Sequence, residues 1–310
     1  MAEHRFEPDH YYTTIGPHEP VLRIGSGDSV VTTTVDAGGR DASGEQVSAR
    51  GNPMTGPFYI EGAEPGDALV VRFDRLYPNR SNGWTRPTIA ANVLDPGYRH
   101  GVETDVNPQE WAVDLDGGTV ELVSPKTRLA GVKWPLQPMV GCFGVAPAGG
   151  QTISTSTSST HGGNMDYRGF AEGVTVFLPV FAPGALFHLG DGHAIQGDGE
   201  IVGTGVEISF DVTFSVDLLK GKQIGWPRAE SETHIMTVGN ARPLDQGVQH
   251  ATTEMVRWLQ EDFGLDALSA HALLGQCVEY DVGNIFDPAY TMVCKVPRSA
   301  LERIGVRRSE

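Results

Sequence analysis

The chain has 310 residues and a formal net charge of -16, with 39% hydrophobic and 20% charged residues. That length and apolar share suffice for a sizeable core and exclude a disordered polymer. The acid excess excludes nucleic acid and anionic membrane surfaces as partners, and no apolar run is long enough to span a bilayer as a helix.

In chain order, the segment Met1 to Glu7 lacks an apolar signal core. Cys142, Cys277 and Cys294 are too scattered for a zinc ribbon and read as free thiols of a reducing compartment, so the cytosol is the expected location. Thirty-nine glycines and 20 prolines favour a turn-rich, mainly β chain. Val30 to Val35 is rich in β-branched residues and ends at Asp36-Ala37-Gly38-Gly39, as a strand does. Ala68 to Phe73 is a strand after the turn Pro65-Gly66-Asp67. Arg80 to Pro108, rich in Pro, Gly and Asn, reads as a long surface excursion. Gly118 to Val123 is a further strand. Ser154 to Thr160 is an ordered Ser/Thr loop leading into His161. Val174 to Phe181 and Ala185 to Leu189, separated by Pro183-Gly184, predict a hairpin. Val206 to Phe214 alternates, with Glu207 on the face opposite Val206, Ile208, Phe210, Val212 and Phe214. Gly247 to Phe263 carries apolar residues at helical spacing and is closed by Gly264. Asp266 to Leu274 predicts a second short helix with Leu268, Ala272 and Leu273 inward. Tyr290 to Val296, with Cys294, is a core strand. Strands followed by a helical pair and a final strand predict a β sandwich with an appended α element. One domain over 1–310 is expected, with a C-terminal α/β subregion at about 215–310.

Two polar blocks carry the chemistry. Gly190 to Glu200 sets Asp191, His193, Gln196, Asp198 and Glu200 among four glycines, and His161-Gly162-Gly163-Asn164-Met165-Asp166 repeats the theme upstream. His and Asp in such loops are ligands for a borderline metal ion or proton carriers. The predicted hairpin would bring both loops to one sheet edge. Cys142, in a Gly-Cys-Phe-Gly turn, reads as a buried small residue rather than a nucleophile. His234, His250 and His271 read as structural or surface groups.

These blocks resemble the acetamidase/formamidase family, which carries Gly-Asp-x-His-x-x-Gln-Gly-Asp-Gly-Glu preceded by Gly-Asn-x-Asp after a His. Asn52 to Pro57, Glu61 to Asp67 and Gly141 to Pro147 extend the resemblance, which runs from about Val31 to Pro297. It implies a jelly-roll-like β sandwich with appended α/β elements and a late helical pair. It also implies a homo-oligomer that hydrolyses a short, neutral, acetamide- or formamide-like amide with a divalent metal, zinc above others. His188 departs from the small residue expected at its position.

An amide hydrolase must polarise the carbonyl, supply hydroxide and protonate the departing nitrogen. Asp191 and His193, two apart, would point the same way on extended chain and share one ion. His161 is the expected third metal ligand, and Asp36 a further ligand or supporting catalytic carboxylate. Asn164 is expected to donate to the substrate carbonyl, with Gln196 and His188 as further substrate contacts. Glu200 is the expected general base and acid, with Glu207 as the alternative. Asp166 and Asp198 read equally well as turn residues. The competing function is a calcium-dependent carbohydrate-binding module with Trp84, Trp111 and Trp134 as sugar platforms; zinc with ammonia release, against calcium without turnover, separates the two.

Overall fold

The computed structural model describes residues 1–98, 101 and 107–308. It is mostly β, with 39% strand and 15% helix. A nine-stranded sheet runs in the order Glu3–Arg5, Ser29–Thr34, Phe210–Leu219, Ala68–Pro78, Thr175–Pro179, Arg228–Glu230, His234–Ala241, Tyr290–Pro297, Glu279–Asn284. A six-stranded sheet runs Ser158–Ser159, Gly162–Asn164, Met139–Gly144, Phe187–His193, Met54–Ile60, Leu22–Ile24. The two face each other through phenylalanines. Phe58 and Phe187 of one sheet meet Phe214 of the other at ring separations of 5.1 and 5.4 Å, and Phe143 meets Phe73 at 5.1 Å. These are edge-to-face contacts of fully buried rings, each side chain worth roughly 1.5–3 kcal/mol of burial. The sandwich follows from alternation in its strands: Val30, Thr32 and Thr34 turn inward along Ser29–Thr34, and Phe210, Val212, Phe214 and Val216 along Phe210–Leu219.

The predicted hairpin does not form. Thr175–Pro179 pairs with Ala68–Pro78 and Arg228–Glu230, whereas Phe187–His193 pairs with Met139–Gly144 and Met54–Ile60 in the opposite sheet. Both segments are buried almost throughout, so each needs neighbours on both edges, and a hairpin would supply one. Pro183 and three left-handed residues, Gly184, Ala185 and Leu186, carry the chain between sheets. The two polar blocks still meet, because Met139–Gly144 lies between them: Cys142 pairs with Asn164 on one side and Gly190 on the other.

Helix α1, Leu244–Glu261, packs on His234–Ala241 and Tyr290–Pro297. The approach is close because Gly239 faces Gly247, and a Cβ on Gly239 would strike the Gly247 carbonyl. Gly264 takes the left-handed conformation that ends the turn, and Leu265 N–H donates to the Leu259 carbonyl at 3.1 Å. Helix α2, Ala267–Cys277, is capped by Asp266, which accepts from Ser269 N–H. Its phase differs from expectation: Leu268 is 80% exposed and Ala272 is exposed, while Ala270 and Leu274, one turn apart, face inward. A short helix docked along one narrow stripe fully buries that pair, with Leu273, as expected, packed partly buried against the same cluster. No helix among the described residues is long and apolar enough to cross a membrane.

The segment Arg80 to Pro108, of which 99–100 and 102–106 lie outside the described residues, is not only surface. Asn82–Thr85 joins a four-stranded sheet with Gln109–Asp114, Thr119–Ser124 and Lys133–Pro135, and Arg80 is buried.

Candidate metal centre and cleft

One histidine and five carboxylates converge at the end of the six-stranded sheet. Three overlapping trios, Asp166/Asp191/His193, His193/Glu200/Glu207 and Asp166/Glu200/Asp287, each hold their ligand atoms within 4.8 Å of one another. All six residues are buried. The backbone is bent to gather them: Asp166, Asp191 and Glu200 all have left-handed φ, at 43°, 61° and 46°. Such conformations are uncommon for residues bearing a Cβ and are held where surrounding structure imposes them. Gly141 is needed opposite, since a Cβ there would collide with carboxylate oxygens of Asp166 and Asp191.

The His193 ring is fixed. Its Nδ1 lies 2.7 Å from Gln196 Oε1, and Gln196 Nε2 donates to the Asp166 carbonyl at 2.5 Å. Because the amide nitrogen of Gln196 is the end that donates to a carbonyl, its oxygen must accept, so Nδ1 carries the proton. Nε2 then faces Asp191 Oδ1 at 3.3 Å and Glu207 Oε1 at 2.9 Å. Two carboxylates facing that nitrogen call for positive charge beside it, either a second proton on the ring, whose affinity they push well above the ordinary imidazole value, or a metal ion in that proton's place. Among the described residues, Asp166 Oδ1 and Glu207 Oε2 are buried without a hydrogen-bond partner. The residues therefore fit a divalent ion, by donor chemistry and by orphaned atoms alike.

The charges are mutually strained without such an ion. Burial, with Glu200, Asp191 and Asp287 adding repulsion, pushes the Asp166 carboxyl well above the usual carboxylate range. Burial raises Glu200 strongly, Glu207 to about 7 and Asp287 to about 6. Asp191 moves the other way: burial opposes ionisation, but His193 beside it holds its carboxyl below the ordinary value. Asn284 ties the cluster together, donating from Nδ2 to Asp166 at 2.6 Å, Glu200 at 2.9 Å and Asp287 at 3.1 Å.

Above the cluster opens a cleft of about 1190 Å³, reached by Asp191, Glu200, Glu207, Asp287 and Asn164. Asn164 donates to Asp287 at 2.5 Å and accepts from Asn52 Nδ2 at 2.7 Å.

Residues 19–152 and 148–302 match the model of the Acetamidase/Formamidase family. The chain belongs to the acetamidase/formamidase family. This family member is similar to the crystal structure of an acetamidase from Yersinia enterocolitica, with 33% identity and a TM-score of 0.82 over 96% of this chain and 93% of that one. A Bacillus halodurans acetamidase structure is similar at 30% identity and a TM-score of 0.81, covering 97% of this chain and 100% of that one. An acetamidase from Mycolicibacterium smegmatis is 29% identical over 226 residues, 54% of this chain and 53% of that protein. The chain thus spans about half the length of that relative.

In this acetamidase/formamidase family chain, the structure brings Asp191, His193, Glu200, Asn164 and Gln196 together but leaves Asp36, His161 and His188 outside the metal trios. Asp191 joins His193 by way of its left-handed bend, not by extended alternation. Asp36 lies outside the metal trios. Its carboxylate pairs with Arg80 at 2.5 Å and accepts from Trp84 Nε1 at 3.1 Å. A buried guanidinium needs that partner, which leaves the Asp36 carboxylate engaged. His161 is also outside the trios; it is buried, and among the described residues neither ring nitrogen has a hydrogen-bond partner. His188 does not line the cleft: its ring packs against Tyr12 and His18, and Nδ1 bonds the Leu186 carbonyl. Gln196 uses both amide ends on protein groups. Trp111 and Trp134 pack edge to face at 5.9 Å, and Trp84 is tied to Asp36, so the three do not form a shared sugar platform.

Asn284 and Asp287 were not expected. The signal was Gly283-Asn284-Ile285-Phe286-Asp287, a polar loop after a strand that resembles Gly163-Asn164-Met165-Asp166. Arg80 and Trp84 gave no comparable signal, since their role is to pair Asp36.

Proposed function

We propose that this chain hydrolyses a linear amide to a carboxylate and ammonia in the cleft above the carboxylate cluster, with a divalent cation held by Asp166, Asp191, His193 and Glu207. The observation that carries this reading is the His193 ring. Its Nδ1 proton is held by Gln196, and its Nε2 is aimed between two carboxylates, where a divalent ion would replace a ring proton. One imidazole nitrogen among carboxylate oxygens is a donor set that zinc accepts. When bound, the ion supplies Lewis acidity that polarises the amide carbonyl and eases deprotonation of the attacking water.

The chain's own residues do the rest. Gln196 keeps the imidazole in the tautomer that presents Nε2. Asn284 Nδ2 pins Glu200 Oε2 beside the cleft. Glu200, in its ionised form, takes the proton from water as the C–O bond forms. It returns that proton to the amide nitrogen as the C–N bond breaks and ammonia leaves. Asp287, fixed by Asn164 and Asn284, limits where Glu200 can swing.

The family's name and the acetamidases similar to this chain support an amide as substrate. The test is ammonia release over a panel of primary amides, with and without a chelator. Release that the chelator abolishes and added zinc restores is the expected result; release unaffected by exhaustive chelation contradicts the role of the cation.

A further inference from the structure

The cleft is larger than a formamide or acetamide needs. Its volume of about 1190 Å³ exceeds the ~300–1,000 Å³ of sites that enclose drug-sized ligands. Its charge is also divided. The acids on the floor, Asp191, Glu200, Glu207 and Asp287, are buried, whereas among the described residues the mouth carries exposed Arg40, Arg50 and Arg86 against one exposed acid, Glu110. Among the described residues none of these three guanidiniums is ion-paired. On a chain with 39 acidic and 23 basic residues, three unpaired arginines around one opening are not what random placement on an acidic surface gives.

The backbone that carries these arginines is held in place, and so is the Arg86 side chain. Arg86 N–H donates to Thr204 Oγ1 at 2.8 Å, and its guanidinium lies over the Phe286 ring at 4.9 Å. Arg40 is anchored by the buried pair behind it: its N–H donates to Asp36 at 2.9 Å and its carbonyl accepts from Arg80 at 3.2 Å. Arg50 precedes Gly51 and Asn52, whose N–H groups both donate to the Ala37 carbonyl, at 3.2 and 3.1 Å. One loop, from Asp36 to Asn52, thus carries two of the arginines at its rim and an asparagine of the site at its end.

We infer that the substrate is a primary amide bearing a carboxylate at its far end, the carboxylate received by Arg40, Arg50 and Arg86 while the amide reaches the floor. This rests on the hydrolase reading above and names its substrate class. Guanidinium matches carboxylate as a two-pronged donor, and the acidic floor repels the anionic end of the same molecule, so the charge division also sets orientation. The short neutral amide expected from sequence would make no use of the mouth.

The experiment compares ammonia release from succinamate and from butyramide, its uncharged counterpart, in the zinc-loaded wild type and in Arg50→Gln/Arg86→Gln. Binding of succinamate is followed in parallel by calorimetry. The expected kcat/KM ratio, succinamate over butyramide, is about tenfold or more in the wild type. It collapses towards unity in the double variant, mainly through KM, and shrinks as salt is raised. Arg86→Lys restores part of it. A ratio near unity in the wild type, or one unchanged in the variant, overturns the inference. Ammonia release from neither amide, with succinamate binding that the variant loses, sinks the hydrolase reading and leaves the anion subsite standing. Absence of both release and binding sinks the subsite as well.

Discussion

His193 and Glu200 divide the work at the scale of single residues. His193 turns Nε2 to the acids because Gln196 accepts from the other nitrogen; Glu200 keeps a raised proton affinity because it is buried among carboxylates. Replacing Glu200 by Gln removes the titrating group but keeps its shape and its contact with Asn284. Turnover is expected to fall by about a hundredfold or more while the metal stays bound; metal content and steady-state rates on the same preparation check this, and near-normal turnover would take the proton-carrying role away from Glu200. Gly141→Ala is a second test, placing a methyl where Asp166 and Asp191 carboxylates now stand. Metal affinity should drop about tenfold or more with the fold retained, read by chelator competition alongside circular dichroism. Asp191 and His193 were legible from sequence because both lie in one glycine-spaced block. The reason they meet was not, since a left-handed residue inside a strand leaves no mark in a binary pattern.

At the scale of elements, the loop from Asp36 to Asn52 depends on one buried ion pair. Arg80 reaches Asp36 with one nitrogen and the carbonyls of Arg40 and Asp41 with another. Asp36→Ala leaves that guanidinium buried and uncompensated, a loss of about 3–5 kcal/mol. Chemical denaturation should show it, and a loss under 1 kcal/mol would mean the loop carries little of the fold. Sequence suggested a metal role for Asp36 because Asp after a strand and before two glycines has the look of a ligand. Its partner lies 44 residues downstream in a segment with no regular pattern, where nothing local announces a buried arginine. The strands and the helical pair were legible because burial imposes periods of two and 3.6 on the residues concerned. Which strands pair was not: Thr175–Pro179 and Phe187–His193 are neighbours in sequence, yet each is buried on both faces and takes its partners from different sheets. Asn284 and Asp287 were missed for the same reason, being brought in from the far end of the chain by the edge strand Glu279–Asn284.

The molecule as a whole carries two buried neutral histidines away from the carboxylates. Burial lowers His161 from 6.5 to about 4 and, with His18 nearby, His188 from 6.5 to about 3. A depressed folded-state value means the unfolded chain binds these protons first. Stability is therefore full above about pH 6.5 and declines as pH falls towards 4 for His161 and 3 for His188, by a few kcal/mol for each at about 1.4 kcal/mol per pH unit. The buried carboxylates, raised in the fold, push the other way over the same range, so the histidine share is read as a difference: the unfolding midpoint of the wild type relative to His188→Asn should fall as pH drops from 6.5 to 4, and a difference that does not change with pH would remove His188 from the cause. The two-sheet sandwich exists in this chain to hold one floor of acids together, and an uncompensated floor of that kind is unstable at neutral pH. The most direct measurement is therefore elemental analysis of the wild type and His193→Ala purified without added metal. A stoichiometric divalent ion in the wild type, about one per chain, lost in the variant, is the expected result; a fully active wild type containing no metal would contradict it.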